Sequence, residues 1–266
     1  NEIIIDASML PSSGIFSSER TRYSQTTVGA FFCQAIKEEL ETDVAIINGA
    51  TLKGDKTYES STMTYAELKA ELPFPTKIVV VQMTLAELQH AIEYSRRNIE
   101  EQKGKVVDEI DAELPRRGYI QVDHDFDFDM QSGDQDIVLR VALPRNLLNG
   151  FCRIKPLMDV GTRLKEQKNF PSDDDFIPAL DLVVRHCSKI KWISIVDKDI
   201  TFPDLDLNGD EVLDKDEVKK LVMKYFDYEP EDFVIDDLIA SIDANNDGVI
   251  DIGEFSHLLA TIERKF

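Results

Sequence analysis

Cysteine is scarce in this sequence. The three cysteines, Cys33, Cys152 and Cys187, lie far apart, are odd in number and form no C-x-x-C pair. This spacing argues against a disulfide framework and against a cysteine zinc site. The opening residues also lack the pattern of a secretory leader, which favours a reducing compartment, the cytoplasm, over export and leaves both alternatives open.

Long hydrophobic runs are missing as well. No stretch approaches the roughly 18 apolar residues that a membrane-spanning helix requires, so no membrane span is expected. The chain starts at Asn1 rather than at a methionine. We expect it to be part of a longer protein.

Basic residues are outnumbered by acidic ones. The chain has 30 Lys and Arg against 51 Asp and Glu, and its formal net charge is -21. An acidic surface repels phosphate backbones and anionic lipids, so nucleic acid is not an expected partner. The charge is uneven, because residues 201–266 hold 18 acidic and only 6 basic residues. Most of the acidity therefore belongs to the C-terminal region.

This region contains a loop, 243–254, that satisfies every position of the pattern D-x-[DN]-x-[DN]-G-x(5)-E. Calcium takes about six to eight oxygen ligands, and the pattern supplies them from side chains, one backbone carbonyl and a final bidentate Glu. The expected ligands are Asp243, Asn245, Asp247, Val249, Asp251 and Glu254. The loop predicts a calcium-binding EF-hand.

A second loop of equal length, 206–217, has the same ligand spacing with one departure. Its expected ligands are Asp206, Asn208, Asp210, Val212, Asp214 and Glu217. Glu211 stands at the sixth position, where Gly allows a sharp turn, and this costs on the order of 1 kcal/mol. A register starting at Asp204 would put Gly209 at that position but Lys215 at the final one, and is rejected. We expect two calcium sites, of which the first is weaker.

Apolar residues recur at helical spacing after both loops, and Leu213 and Ile250 are expected to join the loops in a short β-bridge. The helix entering the first loop must be short or begin at Pro203, because this proline stands just before that loop. We predict an all-α EF-hand pair over residues 198–266 and a connecting helix over 176–197. The groove of such a pair is suited to a helical peptide from a partner.

Residues 1–175 alternate between helical and strand patterns. Helices are predicted over 28–40, 64–73 and 85–97, and strands over 43–49, 77–83 and 136–143. This order predicts an α/β (α+β) domain with a mixed sheet. Four further acids, Asp123, Asp125, Asp127 and Asp129, alternate along the chain, and we interpret them as a solvated strand edge rather than a metal cluster.

Five phrases stand in order between residues 20 and 151. They are RYSQTTVG (22–29), INGATLKGD (47–55), MTYAELKAELPFPTKIVVVQMT (63–84), YIQV (119–122) and LPRNLLNG (143–150). Together they resemble the C-terminal, substrate-recognition domain of 5'-nucleotidases and related two-domain metallophosphoesterases. In that family a separate N-terminal domain holds two catalytic divalent metals. Nothing in this sequence resembles the D-x-H and G-N-H-[DE] metal motifs, so the resemblance implies no catalytic residue in this chain.

The resemblance also implies a site for a nucleotide or nucleoside. Asn48 matches a substrate-contacting Asn, Phe74 matches one of two rings that sandwich the base, and Arg22 falls near a family Arg. Lys53 replaces a fork-like Arg, which keeps the positive charge but loses bidentate geometry.

Two departures affect the other half of that site. Asn146 takes the position of the second stacking ring, unless Phe151 substitutes for it. The Asp that contacts the ribose in the family is missing. The resemblance therefore implies a stacking aromatic ring on one side of the base only.

Two hypotheses remain open at this point. In the first, the chain is the C-terminal region of a calcium-binding 5'-nucleotidase-like phosphoesterase, and it helps to place a nucleotide that a missing N-terminal dimetal domain hydrolyses. In the second, the chain is a noncatalytic calcium-dependent sensor that keeps the nucleotidase-like domain as a scaffold and binds a partner helix.

Overall fold

The computed structural model describes residues 2–10, 15–97, 118–126, 135–196, 201–226 and 228–265. It divides into two compact units, Ile5–Val183, and Asn1–Ile4 with Val184–Phe266. We call the first the α/β unit and the second the helical unit. The bounds predicted from the sequence, 1–175, 176–197 and 198–266, stay predictions, and the structural division at Val184 falls inside a helix.

A mixed sheet forms the centre of the α/β unit, with five strands in the described residues. Their spatial order is β5 (Ile120–Val122), β2 (Val44–Asn48), β6 (Val138–Pro144), β4 (Lys77–Thr84) and β7 (Ile177–Pro178). β2 and β6 run parallel, and the other neighbours run antiparallel. Two short strands, β1 (Ile3–Ile5) and β3 (Met63–Thr64), lie outside this sheet. The mixed α/β sheet predicted from the sequence is confirmed.

The helices of this unit differ in how they start: the side chains of Thr26, Thr64 and Thr84 cap the first three, whereas the fourth has no side-chain cap and has a proline in its first turn. They are α1 (Thr27–Glu39), α2 (Tyr65–Glu71), α3 (Leu85–Ser95) and α4 (Lys155–Glu166). Capping boxes join Thr64 to Glu67 at the start of α2 and Thr84 to Glu87 at the start of α3. Each box satisfies two backbone N–H groups that the helix itself leaves without partners. The predicted helical segments therefore have well-defined starting points.

Helices cover both faces of the sheet. Val44 and Ile46 of β2 share a core with buried residues of α3 and α4. Ala45 and Ile47 alternate with them and so point to the opposite face, and α1 contacts both β2 and β5. This layered arrangement fixes the ends of β2 and β5, where the candidate site lies.

Asp123 is buried, contrary to the interpretation of the alternating acids as a solvated edge. Its side chain has no exposed surface and pairs with Lys37 Nζ at 3.1 Å. Its second oxygen accepts a hydrogen bond from Ala45 N at 3.1 Å. The interpretation was wrong for this residue because an α1 cation and a backbone N–H satisfy the carboxylate. Asp125 is 62% exposed and also contacts Lys37, and the other two acids lie outside the described residues.

The helical unit consists of helices joined by two loops. From Val184 onward it includes the end of α5 (Ala179–Val196), followed by α6 (Phe202–Leu205), α7 (Lys215–Phe226), α8 (Asp232–Ile242) and α9 (Ile252–Lys265). β8 (Val212–Leu213) and β9 (Ile250–Asp251) pair antiparallel, with Leu213 opposite Ile250 as predicted. In the part of the chain that is described, no helix has the length and apolar composition needed to cross a membrane.

Candidate ligand and metal sites

Arg22, Asn48 and Lys53 come together around Cys152 in the α/β unit. Asn48 Nδ2 donates to Cys152 Sγ at 3.5 Å. Burial raises the pKa of Cys152 to about 11, against the opposing effects of the Arg22 charge, the Asn48 hydrogen bond and the Lys53 charge. The fold thus brings Arg22 close to Asn48 and Lys53, and all three were predicted to contact substrate.

Asn48 itself lies at the end of β2 and is fully buried. Besides the bond to Cys152, its Oδ1 accepts a hydrogen bond from Thr51 Oγ1 at 2.9 Å. Both polar groups of the side chain are therefore engaged within the chain. Asn48 shapes the turn that leads to Lys53, and its direct contact with a ligand stays a prediction.

Phe74 is the exposed aromatic group beside this cluster. Its side chain is 64% exposed, and Lys53 Nζ lies 5.8 Å from the centre of its ring. The ring stands between Pro73 and Pro75, and Thr76 N donates to the Phe74 carbonyl at 2.7 Å. Proline fixes the backbone dihedral φ, so this short segment holds the ring in the open with little conformational freedom. An exposed ring of this size next to a cation is suited to a flat, anionic ligand.

The two cations of the cluster repel each other. Burial lowers the pKa of Lys53, and the neighbouring Arg22 charge lowers it further. A bound anion near both groups would offset this repulsion and raise the pKa of Lys53. The electrostatics therefore favour a ligand that carries negative charge.

Glu71 supports the turn that carries Lys53, and sequence reasoning missed it. Its carboxylate is fully buried, accepting hydrogen bonds from Tyr58 OH at 2.6 Å and from Gly54 N at 2.9 Å. Its backbone carbonyl accepts from Lys53 N at 3.0 Å. The available signal was spacing, because Glu71 follows Leu68 by three residues and so lies on the buried face of α2.

Gln121 supports the segment that carries Arg22, and it too was missed. Its Nε2 donates to the carbonyls of Thr21 and Ser24 at 2.8 and 2.7 Å, and its Oε1 accepts from Thr26 N at 2.8 Å. The Thr21 hydroxyl in turn donates to the carbonyl of Gly49 at 3.0 Å. A fully buried amide thus fixes the backbone on both sides of Arg22.

The segment 150–153 borders the same cluster in an uncommon conformation. Gly150, Cys152 and Arg153 have φ values of 97°, 62° and 50°. Left-handed backbone costs a non-glycine residue about 1 kcal/mol or more and tends to occur at functional sites. Phe151 within this segment is 48% exposed, and Asn146 before it is also exposed. The choice between them as partner of Phe74 stays open.

The loops 206–217 and 243–254 fold alike. The final Glu of each loop accepts hydrogen bonds from two backbone N–H groups near the loop start, from Leu207 and Asn208 to Glu217 and from Ala244 and Asn245 to Glu254. Asp214 and Asp251 accept from the N–H of Glu217 and Glu254 and so cap α7 and α9. The remaining predicted ligands lie along the same turns, and they are Asp206, Asp210 and Val212 in the first loop and Asp243, Asp247 and Val249 in the second.

Three carboxylates of the first loop lie close to one another. Asp206, Asp210 and Glu217 each offer one oxygen, and these oxygens lie within 4.8 Å of one another. Among the described residues, no equally close group is found in the 243–254 loop. Clustered carboxylate oxygens are the donor set that hard divalent cations prefer, so these residues fit calcium.

Each loop has two left-handed positions rather than one. The fourth and sixth positions are Gly209 and Glu211 in the first loop, with φ of 75° and 69°, and Asn246 and Gly248 in the second, with φ of 59° and 87°. Each loop thus has one glycine and one residue with a side chain. Left-handed backbone at Glu211 was predicted. The second left-handed position, at Gly209, was not predicted, because the sequence pattern requires glycine only at the sixth position of the loop.

A family model for the 5'-nucleotidase C-terminal domain matches residues 7–139. No curated protein matches the chain. Among solved structures, similar ones are the 5'-nucleotidase precursor from Thermus thermophilus, with 13% identity and a TM-score of 0.45, and a putative 5'-nucleotidase from Staphylococcus aureus in complex with alpha-ketoglutarate, with 15% identity and a TM-score of 0.43. In each case 68% of this chain is covered, and it spans 37% of the other chain. On the family match, this chain belongs to the 5'-nucleotidase C-terminal domain family.

Proposed function

We propose that this chain is the nucleotide-recognition part of a 5'-nucleotidase-like phosphoesterase. The C-terminal domain is the substrate-binding part of 5'-nucleotidases, which supports a binding role for the α/β unit. Hydrolysis would belong to an N-terminal domain with two divalent metals, outside this chain. The chain itself then needs no catalytic residue.

The observation that carries this proposal is the exposed Phe74 ring beside Lys53, whose charge interacts with that of Arg22. A base would stack on the ring, and the phosphate would lie toward the two cations. Stacking tolerates any base because every base has a π face, whereas the cations select for negative charge. Asn48 would act mainly by holding the turn.

Replacing Phe74 with Ala should weaken AMP binding by about tenfold or more, because stacking of a base on an aromatic ring contributes roughly 1–3 kcal/mol. Phe74→Tyr should retain most of the affinity. Isotope-edited NMR titration of the chain with AMP and with adenosine measures both. A preference for AMP over adenosine that disappears in Lys53→Met would assign the phosphate to the cations.

Two controls make this test decisive. Phe233→Ala removes a ring that is 39% exposed in the helical unit and should leave the affinity unchanged. Phe151→Ala tests whether Phe151 supplies the second stacking ring. If Phe74→Ala binds AMP as tightly as the original chain, or if the original chain gives no shifts at all, the nucleotide proposal is wrong.

We also propose that the helical unit is an EF-hand pair that binds two calcium ions. The repeated hydrogen bonds of the two loops and the close carboxylates of Asp206, Asp210 and Glu217 support this assignment. Calcium would add a stabilising or regulatory part to the nucleotide-binding domain. The first site remains the weaker one in this proposal, because Glu tolerates left-handed backbone less well than Asn246 does at the fourth position of the second loop.

Glu211→Gly should tighten calcium binding at the first loop by up to about fivefold, which corresponds to the roughly 1 kcal/mol of left-handed strain. Glu211→Gln removes the charge but keeps the strain, and it should give no gain. Titration calorimetry of the three proteins separates the two effects. An equal gain in both variants would assign the weakness to charge and not to backbone conformation.

A further inference from the structure

The end of α5 contributes an aromatic anchor to the core of the helical unit. Trp192 is fully buried there together with Ile195, in one cluster with residues of α6, α7, α8 and α9. Its indole Nε1 donates to the Leu238 carbonyl of α8 at 2.9 Å. Trp192 and Ile195 are three residues apart and so lie on the same face of α5.

The core that they join also includes the short helix before the first loop. α6 has four residues, held by a capping box between Thr201 and Asp204. It contributes only Phe202 and Leu205 to the core, whereas α7, α8 and α9 each run for 11 to 14 residues. Trp192 and Ile195 from the end of α5 complete this core together with the residues of the four following helices.

We propose that residues 184–196 are the built-in partner of the groove in the helical unit. An aromatic anchor with a second apolar residue three positions on is how a target helix occupies a groove of this kind. Here the indole hydrogen bond adds a fixed orientation. The groove is therefore closed to helices of other proteins, in contrast to the helical partner expected from the sequence.

This proposal rests on the proposed EF-hand pair, and the experiment keeps the two apart. A fluorescein-labelled synthetic peptide of residues 184–196 is titrated into the full chain at saturating calcium. The original chain should show no binding within the titrated range of concentrations. The double variant Trp192→Ala, Ile195→Ala should bind the peptide with a Kd at least about 30-fold below the upper limit of that range. Ser194→Ala, on the exposed face of α5, should behave as the original chain does. Calorimetry on the same samples reports calcium binding separately.

A second measurement covers a double variant that fails to fold. Trp192 is the single tryptophan of the chain, so its emission in the unaltered protein reports on the groove alone. We expect fluorescence emission at short wavelength and little quenching of that emission by acrylamide. Peptide binding by the unaltered chain, or emission at the wavelength of solvent-exposed tryptophan with free access for acrylamide, would overturn the proposal. Absence of calcium heat with a protected Trp192 would instead contradict the EF-hand assignment and leave the built-in helix standing.

Discussion

Glu254→Gln will remove calcium binding at the 243–254 loop and leave binding at the 206–217 loop. The final Glu supplies two of the oxygens around the ion, and its neutral amide replacement offers one oxygen and no charge. We expect the affinity of that loop to fall by about 100-fold or more. Titration calorimetry should show one site in place of two.

The matched control is Glu217→Gln, which makes the same change in the other loop. It should remove the other site, and the pair of variants then assigns each heat to its loop. Thermal unfolding should follow the same order, because a ligand that binds only the folded state stabilises it in proportion to the logarithm of its concentration over Kd. Two unchanged sites in Glu254→Gln, or no heat from the original chain at millimolar calcium, would refute the loop assignment.

Gly49→Ala will destabilise the α/β unit by about 3 kcal/mol, at the upper end of the usual cost of overpacking. A Cβ at this position would lie 1.8 Å from the Thr21 carbonyl oxygen. That carbonyl cannot move away freely, since Gln121 Nε2 binds it at 2.8 Å. Relaxation would displace the adjacent Arg22, so AMP binding should weaken as well.

Ala50→Gly is the neighbouring control, because it removes a Cβ instead of adding one. It should cost no more than about 1 kcal/mol, through the flexibility of glycine alone. Hydrogen exchange of amides within Ile5–Val183 measures the stability of the α/β unit directly. Equal destabilisation by the two changes would show that the close approach of Gly49 to Thr21 does not affect the free energy of unfolding.

Local patterns predicted most of the α/β unit. Helices α2 and α3 begin at Thr-x-x-Glu boxes that can be recognised in the sequence, and apolar runs marked β2, β4 and β6. The family phrases predicted which residues to examine, and the fold brings Arg22, Asn48 and Lys53 together. These features depend on residues close in sequence or on motif order, which a single chain reveals.

Features that depend on distant partners escaped prediction. The sequence pattern predicts an exposed Asp123. In the structure, Asp123 is buried and pairs with Lys37, which lies 86 positions earlier. Alternation gives the face of a strand but not the charge of the residue opposite it. The partner of the Trp192 indole is also distant, because Nε1 donates to the Leu238 carbonyl 46 positions later. Sequence spacing describes one element at a time, and these contacts join separate elements.

The pairing of β8 with β9 gives the two loops a common mechanical link. Val212, at the seventh position of the first loop, lies opposite Asp251, at the ninth position of the second. Both positions are expected to supply ligands, so an ion that orders one loop also fixes a ligand residue of the other. The second ion then pays less ordering entropy, which is positive cooperativity. Under the calcium proposal, the titration curve should be steeper than that of two independent sites, and the strained first loop should fill with help from its neighbour.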